Sequence, residues 1–282
     1  MLNLPLLFKN IETLSSFLDD YHIIIFYDTS EDNSLDILKS YQSKYLDKMT
    51  LLIGNKELTN IRTQNIAYAR NQLLKKMQEL QFPDFHYFIM MDMDDACSGK
   101  INKDVFTYII DQERNNTPLQ WDALSFNRNP YYDIWALRHS IWCPNDVWAQ
   151  YYFLKKFSKN KLFLKNSIIY SKMITIPINT CPIEVDSAFG GIGIYKIECS
   201  QIAKYSGLNK DGIQFCEHVY FHSSLKRKGK KLFILPGFIN GSWNEHNKET
   251  LFWYKFKSLA LIIFIFIKSL LNKLKIKKLF HN

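Results

Sequence analysis

The 282-residue chain has only 8 prolines and 10 glycines, so no stretch of it reads as a linker or domain boundary. Its 5 cysteines (Cys97, Cys143, Cys181, Cys199, Cys216) are odd in number, scattered and never spaced as Cys-x-x-Cys. That argues against a disulfide framework or a cysteine zinc site and points to a reducing compartment. The amino terminus, from Met1 to Lys9, lacks a basic start and a long apolar core, and is a poor secretory signal. A cytoplasmic setting is therefore expected. Excess positive charge is also missing from most of the chain. Of the net +9, seven charges are lysines between Leu251 and Asn282, where no acidic residue occurs; 9 − 7 leaves +2 for the first 250 residues. No nucleic-acid partner is expected of so nearly neutral a body.

What is present is apolar surface: 47% hydrophobic and 15% aromatic residues suffice for one large core. The pattern predicts a helix over Ile11 to Asp20, a buried strand over His22 to Tyr27, a helix over Leu35 to Tyr45 and a strand over Met49 to Ile53. A long helix over Asn60 to Leu80 follows, stopped before Pro83. A run from Asp84 to Met91 reads as the next buried strand. This β-α-β-α-β order predicts an α/β fold with a mostly parallel sheet flanked by helices. Further on, Trp121 to Phe126 reads as a strand and Tyr151 to Asn166 as one amphipathic surface helix.

The chemistry concentrates where the third strand ends, in Asp92-Met93-Asp94-Asp95. If strand geometry persists to the tip, Asp92 and Asp94 point to one side, because side chains alternate along a strand. Two close carboxylates repel unless a cation lies between them. A hard divalent ion, Mn²⁺ or Mg²⁺, meets that need and can bridge a substrate's phosphates. Asp28 closes the first strand in the same way, and ligands of such sheets sit outside the strands' carboxyl ends.

A strand closing on an acidic loop, the helical Ala69-Arg70-Asn71 and a second strand closing on Asp-x-Asp resemble the GT-A glycosyltransferases. Among these, the chain is similar to small bacterial and viral enzymes of the capsule or lipopolysaccharide type. The segment Tyr131 to Arg138 resembles one from the same group. The resemblance spans residues 20 to 250 and implies a GT-A-like, Rossmann-like domain over 1–250. It further implies a nucleotide-diphosphate sugar donor and a glycan or glycolipid acceptor. Asp28 would contact the nucleotide, Arg70 the diphosphate or a structural partner, and Gly190 and Gly191 would border the donor sugar. Glu217 would be the base toward the acceptor, with Asp186 next in line. Asp92, Asp94 and Asp95 would hold the metal, completed by His246 or by His222. The other readings are a metal-dependent nucleotidyltransferase and a non-catalytic membrane-surface protein. The former usually has a Gly-rich basic loop after its first strand, and here that loop is acidic.

The last segment, 251–282, pairs nine apolar residues (Leu259 to Ile267) with the seven lysines. That is about half the length of a bilayer-spanning helix. An apolar wedge with a basic flank suits lying in an anionic membrane interface, which makes the protein peripheral on a membrane's inner face. The competing expectation is a last core helix with a solvated end.

Overall fold

The computed structural model describes residues 4–54, 59–94, 97–101, 107–109, 111 and 119–240. Helix α1 (Leu4–Ser15) leads into strand β1 (Ile23–Tyr27), helix α2 (Ser34–Tyr45), strand β2 (Met49–Ile53), helix α3 (Arg62–Leu80) and strand β3 (Tyr87–Met91). The expected alternation is present. The first helix lies earlier than expected, because Leu4, Leu7, Phe8 and Leu14 form its buried stripe. The second half contains strand β4 (Ala123–Asn127), helices α4 (Val147–Leu154) and α5 (Lys161–Ile168), and strands β5 (Ile183–Val185) and β6 (Ile192–Lys196). Helices α6 (Cys199–Ile202) and α7 (Glu217–Lys226) and strand β7 (Leu232–Ile239) complete it.

The fold class is α/β, as expected, but the sheets are mixed. Strands β1 and β2 pair in parallel, from Ile23 opposite Met49 to Tyr27 opposite Ile53. The other five form one sheet in the order β3-β6-β4-β7-β5. In it only β4 and β7 run parallel; β3–β6, β4–β6 and β5–β7 are antiparallel. The reversal comes from the turn at Gly190 and Gly191, whose φ values of 69° and 92° suit glycine. That turn sends β6 back between β3 and β4.

The core follows the strand pleat. Phe88, Met90, Ala123, Tyr195, Leu232 and Ile234 pack with Ala67 and Leu74 of α3 and with Val219, Phe221 and Leu225 of α7. Their neighbours in sequence, Leu124, Phe126, Ile194, Phe233 and Leu235, pack with Leu4, Leu7 and Phe8 of α1. Alternation by two sends successive side chains to opposite faces. Both faces are covered, so β4 is buried at every position. Burying each large apolar side chain contributes about 1.5–3 kcal/mol, so the sheet is a stiff support for whatever lies at its strand ends.

The single helix expected over Tyr151 to Asn166 is instead the α4–α5 hairpin. Asp146 Oδ1 accepts from the Trp148 and Ala149 N–H groups, and Asn160 Oδ1 accepts from the Phe163 N–H. Two N-caps in one segment start two helices. The Asp146 carboxylate also pairs with Arg138 at 2.8 Å, which makes Arg138 a structural brace. Among the described residues no helix is long and apolar enough to cross a membrane.

Candidate active site

Strand β3 stops at Met91, and a turn follows in which the Cys97 N–H bonds the Asp94 carbonyl at 3.2 Å. The strand does not persist to Asp94. It is the turn that brings both carboxylates to one cleft of about 1490 Å³, bordered by β1, β3 and α3. Its wall includes Arg70, Asp92, Asp94, Asp133, Glu217 and His218.

Arg70 links three elements there. From α3 its guanidinium donates to Asp92 Oδ1 at 2.6 Å and to Glu217 Oε1 at the start of α7. The rings of Phe189 and Tyr205 lie 5.0 and 5.6 Å from it. Burial pulls the guanidinium pKa down, but Glu217 and Asp92 outweigh burial and the net shift is upward. Arg70 is therefore charged, and its two bonds set the positions of both acids. Glu217, with a side chain 8% exposed, is committed to Arg70. That geometry suits bracing better than the base role expected of it.

Asp133 occupies the place of a free acid. Its Oδ2 accepts from the Gly190 N–H at 3.0 Å and its Oδ1 from the Ala136 N–H at 3.4 Å. No cation is paired with it among the described residues. Burial, reinforced by the Asp92 charge, lifts its pKa to about 6 against the pull of the two N–H groups. A cleft carboxyl poised near neutrality suits proton transfer. Asp133 is not among the residues the motifs single out, although one signal marks it in the sequence: a lone acid inside the aromatic run Tyr131 to Leu137 must be desolvated when that run is buried. Trp135 Nε1 and both ring nitrogens of His218 are buried without a hydrogen-bond partner among the described residues. Burial lowers the His218 pKa well below its usual value, so the ring is neutral; it stacks on Phe189 at 3.7 Å. Buried polar atoms without partners at a cleft wall suit a polar ligand.

The remaining expected residues separate. His222 is fully buried, with Nδ1 2.8 Å from Ser187 Oγ and Nε2 2.9 Å from Tyr195 Oη. Both ring nitrogens are used and burial lowers its pKa to about 3, so His222 is a core histidine and not a metal ligand. Gly190 and Gly191 lie where the backbone packs closely. A Cβ on Gly190 would lie 2.3 Å from the Phe126 carbonyl oxygen, and one on Gly191 would lie 3.0 Å from the Asn240 side chain. Their function here is to present the Gly190 N–H to Asp133 and the Gly191 carbonyl to the Asp92 N–H at 3.0 Å. Asp186 is exposed, 3.6 Å from Lys226, and is not part of the cleft wall. Asp28 sits past the end of β1, accepting from the Thr29 N–H at 2.8 Å, and is likewise not among the lining residues. Asp95, His246 and the segment 251–282 lie outside the described residues.

Among the described residues no group of three or more His, Cys, Asp and Glu side chains is arranged to hold a metal. Asp92 and Asp94 supply two oxygen donors on the cleft wall. That fits Mg²⁺- or Mn²⁺-type binding through one or two carboxylates shared with substrate phosphates, and not an all-protein cage.

Over residues 5–172 the sequence matches the model of the family described as Glycosyl transferase family 2. The match takes in Asp28, Arg70, Asp92, Asp94 and Asp133 and stops short of Asp186, Gly190 and Glu217. No curated protein matches the chain.

Proposed function

From the premise that this chain belongs to glycosyl transferase family 2 and transfers a glycosyl group, we propose that it moves a sugar from a nucleotide-diphosphate sugar to a hydroxyl of a glycan or glycolipid. The observation that carries this reading is that Asp92 and Asp94, just past the carboxyl end of β3, line one cleft together with Arg70 and Asp133. Asp92 and Asp94 would hold Mn²⁺ or Mg²⁺ together with the donor's phosphates. Such an ion supplies neutralisation of the charge that develops on a leaving diphosphate.

The protein's own groups divide the remaining work. Asp133 takes the proton of the acceptor hydroxyl as its oxygen bonds the anomeric carbon and the carbon–oxygen bond to the diphosphate breaks. The Gly190 and Ala136 N–H groups fix the carboxylate of Asp133 for that step. Arg70 holds Asp92 at the cleft wall, and Glu217 holds Arg70. Trp135 Nε1 and His218 offer unpartnered polar atoms to sugar or nucleotide hydroxyls. The basic, apolar segment 251–282 would keep the enzyme on the anionic inner face of a membrane, near a glycolipid acceptor.

A screen of nucleotide-sugars with Mn²⁺ present, reading release of nucleoside diphosphate, tests the proposal. Turnover of a nucleotide-sugar is the expected result. Turnover of nucleoside triphosphates instead, or of neither class, would overturn it.

A further inference from the structure

Apolar side chains left outside a fold are informative when they cluster. Between Asp146 and Glu184 the sequence has six lysines (Lys155, Lys156, Lys159, Lys161, Lys165, Lys172) and no acidic residue. The α4–α5 hairpin lies in this stretch. Its Tyr152, Phe153, Phe157 and Phe163 are 57%, 59%, 75% and 62% exposed, and Leu154 and Leu162 are exposed beside them. Phe153 and Phe157 meet edge to face at 5.4 Å, and the Lys155 ammonium lies 5.9 Å from the Tyr152 ring. Among the described residues none of Lys155, Lys156, Lys159 or Lys161 has an ion-pair partner. Helix α4 is apolar nearly all round (Val-Trp-Ala-Gln-Tyr-Tyr-Phe-Leu), a pattern expected of a buried helix, yet Tyr152, Phe153 and Leu154 face outward.

Charge decides what covers this surface. The chain's own segment 251–282 carries seven lysines and no acid, so it is repelled by the hairpin's lysines. A second copy docked hairpin to hairpin would oppose the same lysines to one another. Exposed aromatic rings among unpaired lysines suit a surface that is apolar within and anionic at its boundary. We infer that the α4–α5 hairpin is a membrane-interface surface that seats on an anionic lipid bilayer. The rings enter the headgroup boundary, and the lysines extend along the surface to the anionic headgroups. Trp148 of the same hairpin, whose ring lies 6.0 Å from that of Tyr152, and Ile169, Tyr170 and Met173 of the segment that follows it all line the cleft. A seated hairpin therefore sets the cleft against the bilayer. This inference rests on neither the proposed reaction nor the segment 251–282.

The test is flotation of the full chain with vesicles of neutral phosphatidylcholine and with vesicles that also contain phosphatidylglycerol. Two variants accompany it, Phe153→Ser/Phe157→Ser/Phe163→Ser and Lys155→Glu/Lys156→Glu/Lys159→Glu. All six side chains are exposed, so the folds are expected to stand, with circular dichroism as the check; the single Phe157→Ser replaces any variant that fails it. Segment 251–282 is present in every chain, so differences report the hairpin. Each variant should lower partition onto anionic vesicles by at least about tenfold, equivalent to about 1.4 kcal/mol. In the unaltered chain, residues 149–163 should gain hydrogen-exchange protection with anionic vesicles. Equal partition of all chains, or no added protection at 149–163, would overturn the inference. So would a dimer dispersed by the Phe variant with vesicle binding unchanged, which would assign the surface to self-association.

Discussion

Replacing Arg70 by Met removes the cation that, among the described residues, bridges Asp92 and Glu217, while keeping a side chain of similar reach. Arg70 and Glu217 are each 8% exposed and Asp92 is 33% exposed. At 2.6 Å and an effective dielectric near 20, the Arg70–Asp92 attraction alone is about 6 kcal/mol before desolvation, which cancels much of it. The consequence of the change is larger than that net value, because Glu217 is left buried without a counter-charge. Breaking a buried pair by removing one partner costs about 3–5 kcal/mol, and Arg70→Met is expected in that range. Adding Glu217→Gln removes the stranded charge, so the double variant should recover at least about 2 kcal/mol relative to Arg70→Met. Urea unfolding of the wild type, both single variants and the double variant at pH 7.5 completes the cycle. Arg70→Met within about 1 kcal/mol of wild type would show that Arg70 does not hold the two carboxylates. So would a double variant less stable than Arg70→Met.

Asp133→Asn tests the raised carboxyl. Its pKa of about 6 against 3.8 unfolded means that the folded chain binds the extra proton between those values. Wild-type stability should therefore fall as pH rises from about 4 to about 6, by up to about 3 kcal/mol (about two units at 1.36 each), and level off above. Asp133→Asn should flatten that limb in thermal or urea unfolding and stabilise the protein at neutral pH; an unchanged limb would place the titration elsewhere. In activity, the wild-type rate should rise with pH through about 6, and Asp133→Asn should lose about 10²–10⁴-fold. Glu217→Gln should leave the pH limb of the rate in place; its disappearance would return the base role to Glu217. Gly190→Ala would set a methyl 2.3 Å from the Phe126 carbonyl oxygen at a φ of 69°. It should cost more than about 2 kcal/mol in thermal unfolding, and a neutral result would contradict the backbone assigned to that turn.

The first half of the fold was legible because its signals are local. Apolar runs with β-branched and aromatic residues marked β1, β2 and β3, and Pro83 marked the end of α3. The mixed sheet was not legible. Strand direction depends on where β6 inserts, and that depends on a turn whose glycines gave no sign of direction. The α4–α5 break was hidden because Asp146 and Asn160 act as caps only when their side chains fold back on the next turn. In the site, Asp92, Asp94, Arg70 and Glu217 were picked out by motif and do meet at the cleft. Their division of labour was not readable, since nothing in the spacing shows that Arg70 spans to Glu217 across 147 positions. His222 looked like a ligand for want of any sign that Ser187 and Tyr195 would occupy both its nitrogens. In the basic run Lys226 to Lys231, whose sequence suits a solvated turn as well as a diphosphate or membrane contact, Lys226 pairs with Glu184 and Lys230 with Asp122 at 3.1 Å each.

Sugar transfer is assigned to the part of the cleft beside Asp92. The direct measurement is Mn²⁺-dependent release of nucleoside diphosphate by wild type and Asp92→Asn side by side, once a donor is in hand, with unfolding curves for both. Asp92→Asn should stay folded and lose at least about 10²-fold in rate, as expected when a group that positions charge for the transition state is removed. Near-wild-type release by folded Asp92→Asn at saturating Mn²⁺ would contradict it.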